Sequence, residues 1–192
     1  MKHLLFSLLS ATALTVGATS VKADEIADAL SAASTAAETG DLKTASSHLN
    51  DARKAIFLKQ GALLEALIPA EGDGLTRNVT PDFTANLQFA GGGAGVEASY
   101  YDADGNTMSL NITVDSPIVL PMLQMFGNEQ MLSMMGKVVE IQGYKFLDQE
   151  NGISALIDNR IYVQVTGRET VHLVKFMETM DLAKLARFDS GL

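Results

Sequence analysis

The first part of the chain places its apolar residues at helical spacing. Between residues 24 and 67, Ala and larger apolar residues return every third or fourth position, which predicts helices. Gly40 and Asp41 interrupt the pattern, and they suit the end of one helix and the start of the next. The apolar stripes are Ile26, Ala29, Leu30, Ala33 and Ala37 in the first helix, and Leu42, Ala45, Leu49, Ala52 and Ile56 in the second. The pattern predicts a helical hairpin over residues 24–68, followed by a turn-rich linker over residues 69–75.

Beyond the linker, the apolar period shortens to that of β-strands. Apolar and polar residues alternate, at least loosely, in residues 83–89, 96–101, 108–114, 138–142, 144–148, 153–157 and 161–166. Runs of this length and period are typical of half-buried strands. Turn signals separate neighbouring runs at Asp104-Gly105, Asn151-Gly152 and Asp158-Asn159. Neighbouring runs joined by such short turns are expected to pair antiparallel.

Two helical segments lie among these predicted strands. Ser116-Pro117 has the residues of a helix start, and this helix should end by Gly136, with Gly127-Asn128 as a potential break. Residues 169–185 predict an amphipathic helix whose inward positions are Val171, Val174, Met177 (or Leu173) and Leu182. The predicted fold class is therefore α+β: an N-terminal α-helical hairpin followed by an antiparallel sheet with helices packed on one face, the latter over residues 76–192.

The extreme N-terminus has the pattern of a secretory signal peptide. A basic start at Lys2 precedes an apolar run from Leu4 to Val16, which is too short to span a bilayer. Small side chains at Val21 and Ala23 then precede acidic residues. We expect residues 1–23 to be a cleaved signal peptide, so that the protein works in the periplasm or outside the cell. No integral membrane segment is expected after cleavage.

The composition excludes several classes of function. The chain has no Cys, which excludes disulfides, thiolate metal sites and Cys nucleophiles. Its formal net charge is −9, so it has no excess of cations with which to bind nucleic acid. We therefore expect no nucleic-acid partner.

A cluster of methionines is the most unusual feature of the composition. Met122 and Met125 are three residues apart, as are Met131 and Met134, so each pair shares a helix face. Thioether sulfur prefers Cu(I), which makes these four residues candidate metal ligands. Methionine also fills irregular cores and forms adaptable apolar surfaces, and that interpretation predicts no cofactor.

Catalytic groupings are sparse. No Ser-centred nucleophile elbow occurs, and His48 and His172 each stand alone on a predicted helix. Arg160 and Arg168 lie near predicted strand ends, where they could hold a carboxylate or serve only as turn and strand-end charges. The sequence therefore favours a non-enzymatic protein, and a hydrolase without a recognisable motif is the remaining enzymatic alternative.

The order of short motifs resembles that of a group of small exported proteobacterial proteins. The matching elements are Gly91–Gly93, Ala98-Ser99-Tyr100, Asp115-Ser116-Pro117 and the closing strand Val163–Gly167. The resemblance implies export and the same architecture. None of these motifs is chemically specific, so it transfers no active site.

Together these patterns favour a periplasmic binding or protein-interaction module. The hairpin is expected to contact an unknown protein partner or a second copy of the chain. An apolar small ligand is a further expected partner, held by the Met-rich helix and the sheet. A Cu(I)-handling protein is the alternative.

Overall fold

The structure is a computed structural model that describes residues 20–72, 74–103, 105–167 and 169–190. The chain forms two compact units, one up to Ala52 and one from Arg53 onward. The predicted signal peptide lies outside the described residues except for its last four positions, where helix α1 begins at Ser20. Export therefore stays a prediction.

The first unit contains a pair of helices, which confirms the predicted hairpin. Helix α1 spans Ser20–Glu38 and helix α2 spans Leu42–Glu65, so α2 continues into the second unit. The Asp41 carboxylate accepts the backbone N–H of Thr44 at 3.0 Å, and this hydrogen bond lowers the pKa of Asp41.

The predicted stripes are only half right. Within the stripes, the small residues Ala33, Ala45 and Ala52 are buried, but Ala37 is exposed and its neighbour Ala36 is buried instead. Of the large residues of the same stripes, Leu30, Leu42, Leu49 and Ile56 are exposed and Ile26 is half-buried. Spacing identifies the helices, but it does not say which side of a stripe is covered.

The second unit is built on one seven-stranded antiparallel sheet, as far as the structure describes it. The strands are β1 (Thr76–Val79), β2 (Ala94–Tyr101), β3 (Thr107–Val114), β4 (Lys137–Ile141), β5 (Tyr144–Gln149), β6 (Gly152–Ile157) and β7 (Ile161–Thr166). Their order across the sheet is β1-β2-β3-β7-β6-β5-β4. The pairing of β3 with β7 thus joins two meanders, β1–β3 and β4–β7. Asp158 and Asn159 both have positive φ in the β6–β7 turn, where the sequence predicted a turn.

Short helices connect and cover the strands. They are α3 (Phe83–Phe89), α4 (Leu120–Phe126), α5 (Glu129–Met135), α6 (Thr170–Glu178) and α7 (Leu182–Ala186), with a 3-10 turn at Pro117–Val119. Together with the sheet and the hairpin, these helices confirm the predicted α+β class. The break between α4 and α5 falls at Gly127-Asn128, where the Asn128 side chain accepts the backbone N–H groups of Gln130 and Met131.

The main core lies between one face of the sheet and three helices. Val96, Ile112 and Val163 are register partners on β2, β3 and β7, and each is at most 3% exposed. The helical side consists of the C-terminal half of α2 together with α6 and α7, through Phe57, Leu64, Leu173, Phe176, Met177, Leu182 and Leu185. Burial of this apolar area is the main stabilising term of the unit.

The opposite face of the sheet carries other short helices. Phe83 and Leu87 of α3 lie over Gly95, which points away from the core because strand residues alternate in direction. Across the sheet, the rings of Phe126 and Tyr162 pack edge to face, with centroids 6.4 Å apart. Helices α3 and α4 thus lie on the second face of the sheet, whereas α2, α6 and α7 lie on the first.

One predicted strand is wrong. Residues 83–89 form helix α3, not a strand. The period-two interpretation counted Phe89, which is 93% exposed, while the buried residues Thr84 and Leu87 stand three apart, at helical spacing.

The last predicted helix is interrupted. It divides into α6 and α7, and Asp181 caps α7 by accepting the N–H of Lys184 at 2.8 Å. Val171, predicted to face inward, is 55% exposed, whereas Leu173 and Phe176 carry the buried face of α6. Met177 and Leu182 are buried as predicted, and Val174 is half-buried.

Candidate functional site

The second unit contains a cavity of about 820 Å³, which we call the end cavity. Three parts of the described chain line it: residues 69–72 with Leu75, Asp102 with Asn106 and the start of β3, and one face of α6. A volume of this size is within the range of small-molecule sites in proteins. The end cavity is therefore the candidate functional site.

The floor of the end cavity is apolar. Leu173 and Phe176 of α6 line it and are 1% and 4% exposed, and Met108 of β3 is half-buried beside them. The ring of Phe176 packs edge to face on Tyr100 with centroids 4.7 Å apart, which fixes its orientation. A rigid apolar floor of this kind favours the apolar part of a ligand.

Hydrogen bonds hold the wall formed by residues 69–72. The Tyr100 hydroxyl donates to the carbonyl oxygen of Pro69 at 2.8 Å, and the Arg77 guanidinium donates to the same oxygen at 3.3 Å. The backbone N–H of Arg77 donates to the Glu71 carboxylate at 3.1 Å. Burial raises the pKa of Tyr100 to about 12, so its hydroxyl remains a donor at neutral pH. The wall is preformed.

Charged side chains surround the mouth. Asp102 accepts the backbone N–H of Asn106 at 2.7 Å and its side-chain amide at 2.8 Å, which closes the β2–β3 turn. Glu169 lies 3.9 Å from the imidazole of His172, and both side chains are about two-thirds exposed. Lys175 lines the cavity and forms no ion pair within the described chain.

The methionine candidates lie on two separate helices. Met122 and Met125 are half-buried on α4, while Met131 and Met134 on α5 are 46% and 81% exposed. None of the four lines the end cavity. Over the described residues, no cluster of three or more His, Asp or Glu side chains is placed to hold a metal ion, but thioether sites are a separate matter. Cu(I) binding stays a prediction.

Arg160 has a structural partner on each side. It forms salt bridges to Asp115, at the end of β3, and to Asp189, at the C-terminus, and the Gln60 amide of α2 also donates to Asp189 at 2.6 Å. These hydrogen bonds, that of Asp115 first, raise the pKa of Arg160 above its usual value. The carboxylates that Arg160 holds are therefore the chain's own, and Arg168 lies outside the described residues.

Sequence reasoning missed most of the end cavity. It assigned residues 69–75 to a linker and treated His172 as a solitary residue, yet both line the cavity. The signal available in the sequence was the amphipathic face of α6. His172, Leu173 and Phe176 lie three, four and seven residues after Glu169, which places all four on one side of a helix. Nothing in the sequence indicated that this face meets the β2–β3 turn.

Comparison of the chain with protein-family models, with curated proteins and with solved structures gave no match in any of the three. Among the helices of the described residues, none has both the length and the apolar character needed to cross a membrane. Function must therefore be argued from the end cavity and the exposed surfaces.

Proposed function

We propose that this protein is a non-enzymatic binding module that holds a small amphipathic ligand in the end cavity. The observation that carries the proposal is the combination of an apolar floor, at Leu173 and Phe176, with a charged mouth. Such a division suits a ligand with an apolar body and a polar head. The N-terminal pattern would place this activity in the periplasm or outside the cell.

The solvent exposure and the separation of the titratable groups at the mouth support binding over catalysis. Glu169 and His172 are the acid–base pair at the mouth, and about two-thirds of each side chain is exposed to solvent. Catalytic acids and bases are more commonly desolvated and held at hydrogen-bond distance. The 3.9 Å separation of these two groups is longer than a hydrogen bond.

The first test fills the cavity. Ala70 is exposed and lines the mouth, so Ala70→Trp should occupy the space that a ligand needs. We expect the neutral fluorophore N-phenylnaphthylamine to bind the wild-type protein saturably, and Ala70→Trp to weaken its binding about tenfold or more. Fluorescence titration measures both dissociation constants.

A matched control is available at Ala90. It is also exposed, it follows α3 on the opposite face of the sheet, and it does not line the cavity. Ala90→Trp should leave the dissociation constant unchanged. Equal binding by wild type and Ala70→Trp, with loss of binding in Met134→Lys, would place the probe on the exposed α5 surface and overturn the proposal.

A second interaction is favoured by the exposed stripe of α2. Leu42, Leu49 and Ile56 are spaced by seven residues and are 72%, 53% and 39% exposed. Uncovered large residues at this spacing are typical of helices that pair with another helix. We propose that this stripe contacts a protein partner or a second copy of the chain.

The stripe can be tested by alanine substitution. Replacement of Leu42, Leu49 and Ile56 together should shift the protein toward monomer without unfolding it, because these side chains are exposed. Sedimentation equilibrium gives the association constant, and circular dichroism confirms the fold. Leu58→Ala, on the same helix but off the stripe and 42% exposed, is the control. A wild type that is monomeric at all concentrations would rule out the second copy as partner.

A further inference from the structure

We infer that the ligand of the end cavity carries an anionic head group and that Lys175 binds it. This inference rests on the proposed binding function and adds to it a chemical class: an amphipathic anion with an apolar chain. Within the described residues, acidic side chains at the mouth accept hydrogen bonds from the protein, whereas Lys175 forms no ion pair.

Among the described residues, two of the three acidic side chains at the mouth already accept hydrogen bonds from the protein. Glu71 accepts the backbone N–H of Arg77, and Asp102 accepts both donors of Asn106 within its turn. Glu169 faces the imidazole of His172. A cationic ligand would therefore compete with contacts that the protein makes within itself.

Lys175 differs from these acids. Its ammonium forms no ion pair in the described chain, although it belongs to a protein of net charge −9 that is rich in carboxylates. For comparison, Lys184 on α7 lies 3.9 Å from Asp181. The cation at the mouth is thus available for an external anion.

The geometry places an apolar chain and this cation at one site. Lys175 is adjacent in sequence to Phe176, whose ring forms part of the floor. His172 lies one helical turn before Lys175 on the same helix and also lines the mouth. A ligand chain on Leu173 and Phe176 would bring its head group to the rim beside Lys175 and His172.

The head group can be isolated by comparing ligands with one chain. Decanoate, decanol and decyltrimethylammonium share their alkyl chain and differ in charge. Their ability to displace N-phenylnaphthylamine would be measured at about pH 8, where the carboxylate of decanoate is ionised. We expect decanoate to bind about tenfold more tightly than decanol, and the cation to bind most weakly.

Variants assign this preference to Lys175. Lys175→Gln should reduce the preference for decanoate over decanol to about twofold, and Lys175→Glu should reverse it. Lys184→Gln removes an equivalent exposed charge and should change nothing. Lys175 is exposed, so all three variants should fold, which thermal melts would confirm.

The outcomes separate the two proposals. Equal binding of the three ligands, or tighter binding of the cation, overturns the anionic head group while it leaves the binding module intact. A preference for decanoate that survives in Lys175→Glu removes Lys175 as its cause and overturns the inference. Failure of every ligand, including the neutral probe, to bind overturns the proposed function itself.

Discussion

Replacement of Arg160 by Met should lower the free energy of unfolding by about 2 kcal/mol. The estimate lies between the small contribution of exposed ion pairs and the larger cost of breaking a buried one. Arg160 is intermediate, because its side chain is 32% exposed and that of Asp189 is 16% exposed. Met keeps much of the aliphatic volume, so the change isolates the guanidinium.

The physical reason is that one guanidinium connects three parts of the second unit. Arg160 donates to Asp115 at the end of β3 and to both oxygens of Asp189, at 3.0 and 2.8 Å. It also lies 5.9 Å from the ring centre of Phe188. Its removal leaves two carboxylates without their cation and releases the C-terminal segment from the β6–β7 turn.

The effect should depend on pH in one direction. The hydrogen bond from Arg160 holds the pKa of Asp189 below its usual value of 3.8. A depressed carboxyl pKa contributes stability that is complete above the unfolded value and is lost as pH falls through the folded one. The difference between wild type and Arg160→Met should therefore be full at neutral pH and shrink as the pH falls below 3.8.

Urea unfolding at a series of pH values measures this difference directly. Arg187→Met is the matched control, because it removes the same charge from an exposed side chain. Within the part of the chain that the structure describes, the Arg187 guanidinium donates a hydrogen bond to the Ala183 carbonyl and forms no ion pair. It should change stability by less than about 0.5 kcal/mol. Equal stabilities of Arg160→Met and wild type at neutral pH would show that the network contributes nothing.

Substitution of Gly61 by Ala should also destabilise the protein by about 2 kcal/mol. In an open helix this change would stabilise by roughly 1 kcal/mol, because Ala is the better helix former. Here the new methyl group would overlap the hydroxyl of Thr84, which packs against α2 at this point. Overpacking of a buried contact costs about 1–3 kcal/mol, and loss of the Thr84 hydrogen bonds adds to it.

Thr84 matters because it completes the pairing of β2. Strand β1 pairs only with residues 98–101, so the preceding part of this edge of β2 lacks a partner strand. The Thr84 hydroxyl accepts the N–H of Gly95 at 3.0 Å and donates to its carbonyl at 2.8 Å. One side chain thus satisfies both backbone groups that a neighbouring strand would otherwise bind.

A double-mutant cycle separates the clash from other effects. Thr84→Ala should destabilise alone, and in that background Gly61→Ala should cost much less or even stabilise, because the overlapping hydroxyl is gone. Thermal or urea unfolding of the four proteins gives the coupling free energy. Additive effects of the two substitutions would mean that the two side chains do not interfere.

The sequence was sufficient for most of the elements and for the fold class, but not for which surfaces are buried. Alternating runs predicted β2, β3 and β7, in which apolar residues occupy every other position. In β5 and β6 consecutive residues are buried, so those strands were predicted from short apolar runs and the turn between them. Helix α3 was assigned wrongly because a helix of seven residues offers too few turns to distinguish the two periods.

The site was harder to predict for a different reason. The end cavity combines the chain after α2, the β2–β3 turn and α6, which lie far apart in sequence and meet only through sheet order. Each part taken alone has an ordinary explanation: a linker, a hairpin turn and an amphipathic helix. The number of methionines predicted a candidate metal site, but composition does not indicate which residues line the same cavity.

The pairing of β3 with β7 has a consequence for how the chain is made. Strands β1–β3 are complete once residue 114 has been synthesised, yet the inner edge of β3 waits for Ile161–Thr166, the last strand. Until then, an edge of β-branched and apolar residues presents unpaired backbone groups to any neighbouring chain. A nascent or truncated chain that ends before Ile161 is therefore prone to aggregate. Pairing of β7 with β3 is the step that covers this exposed edge.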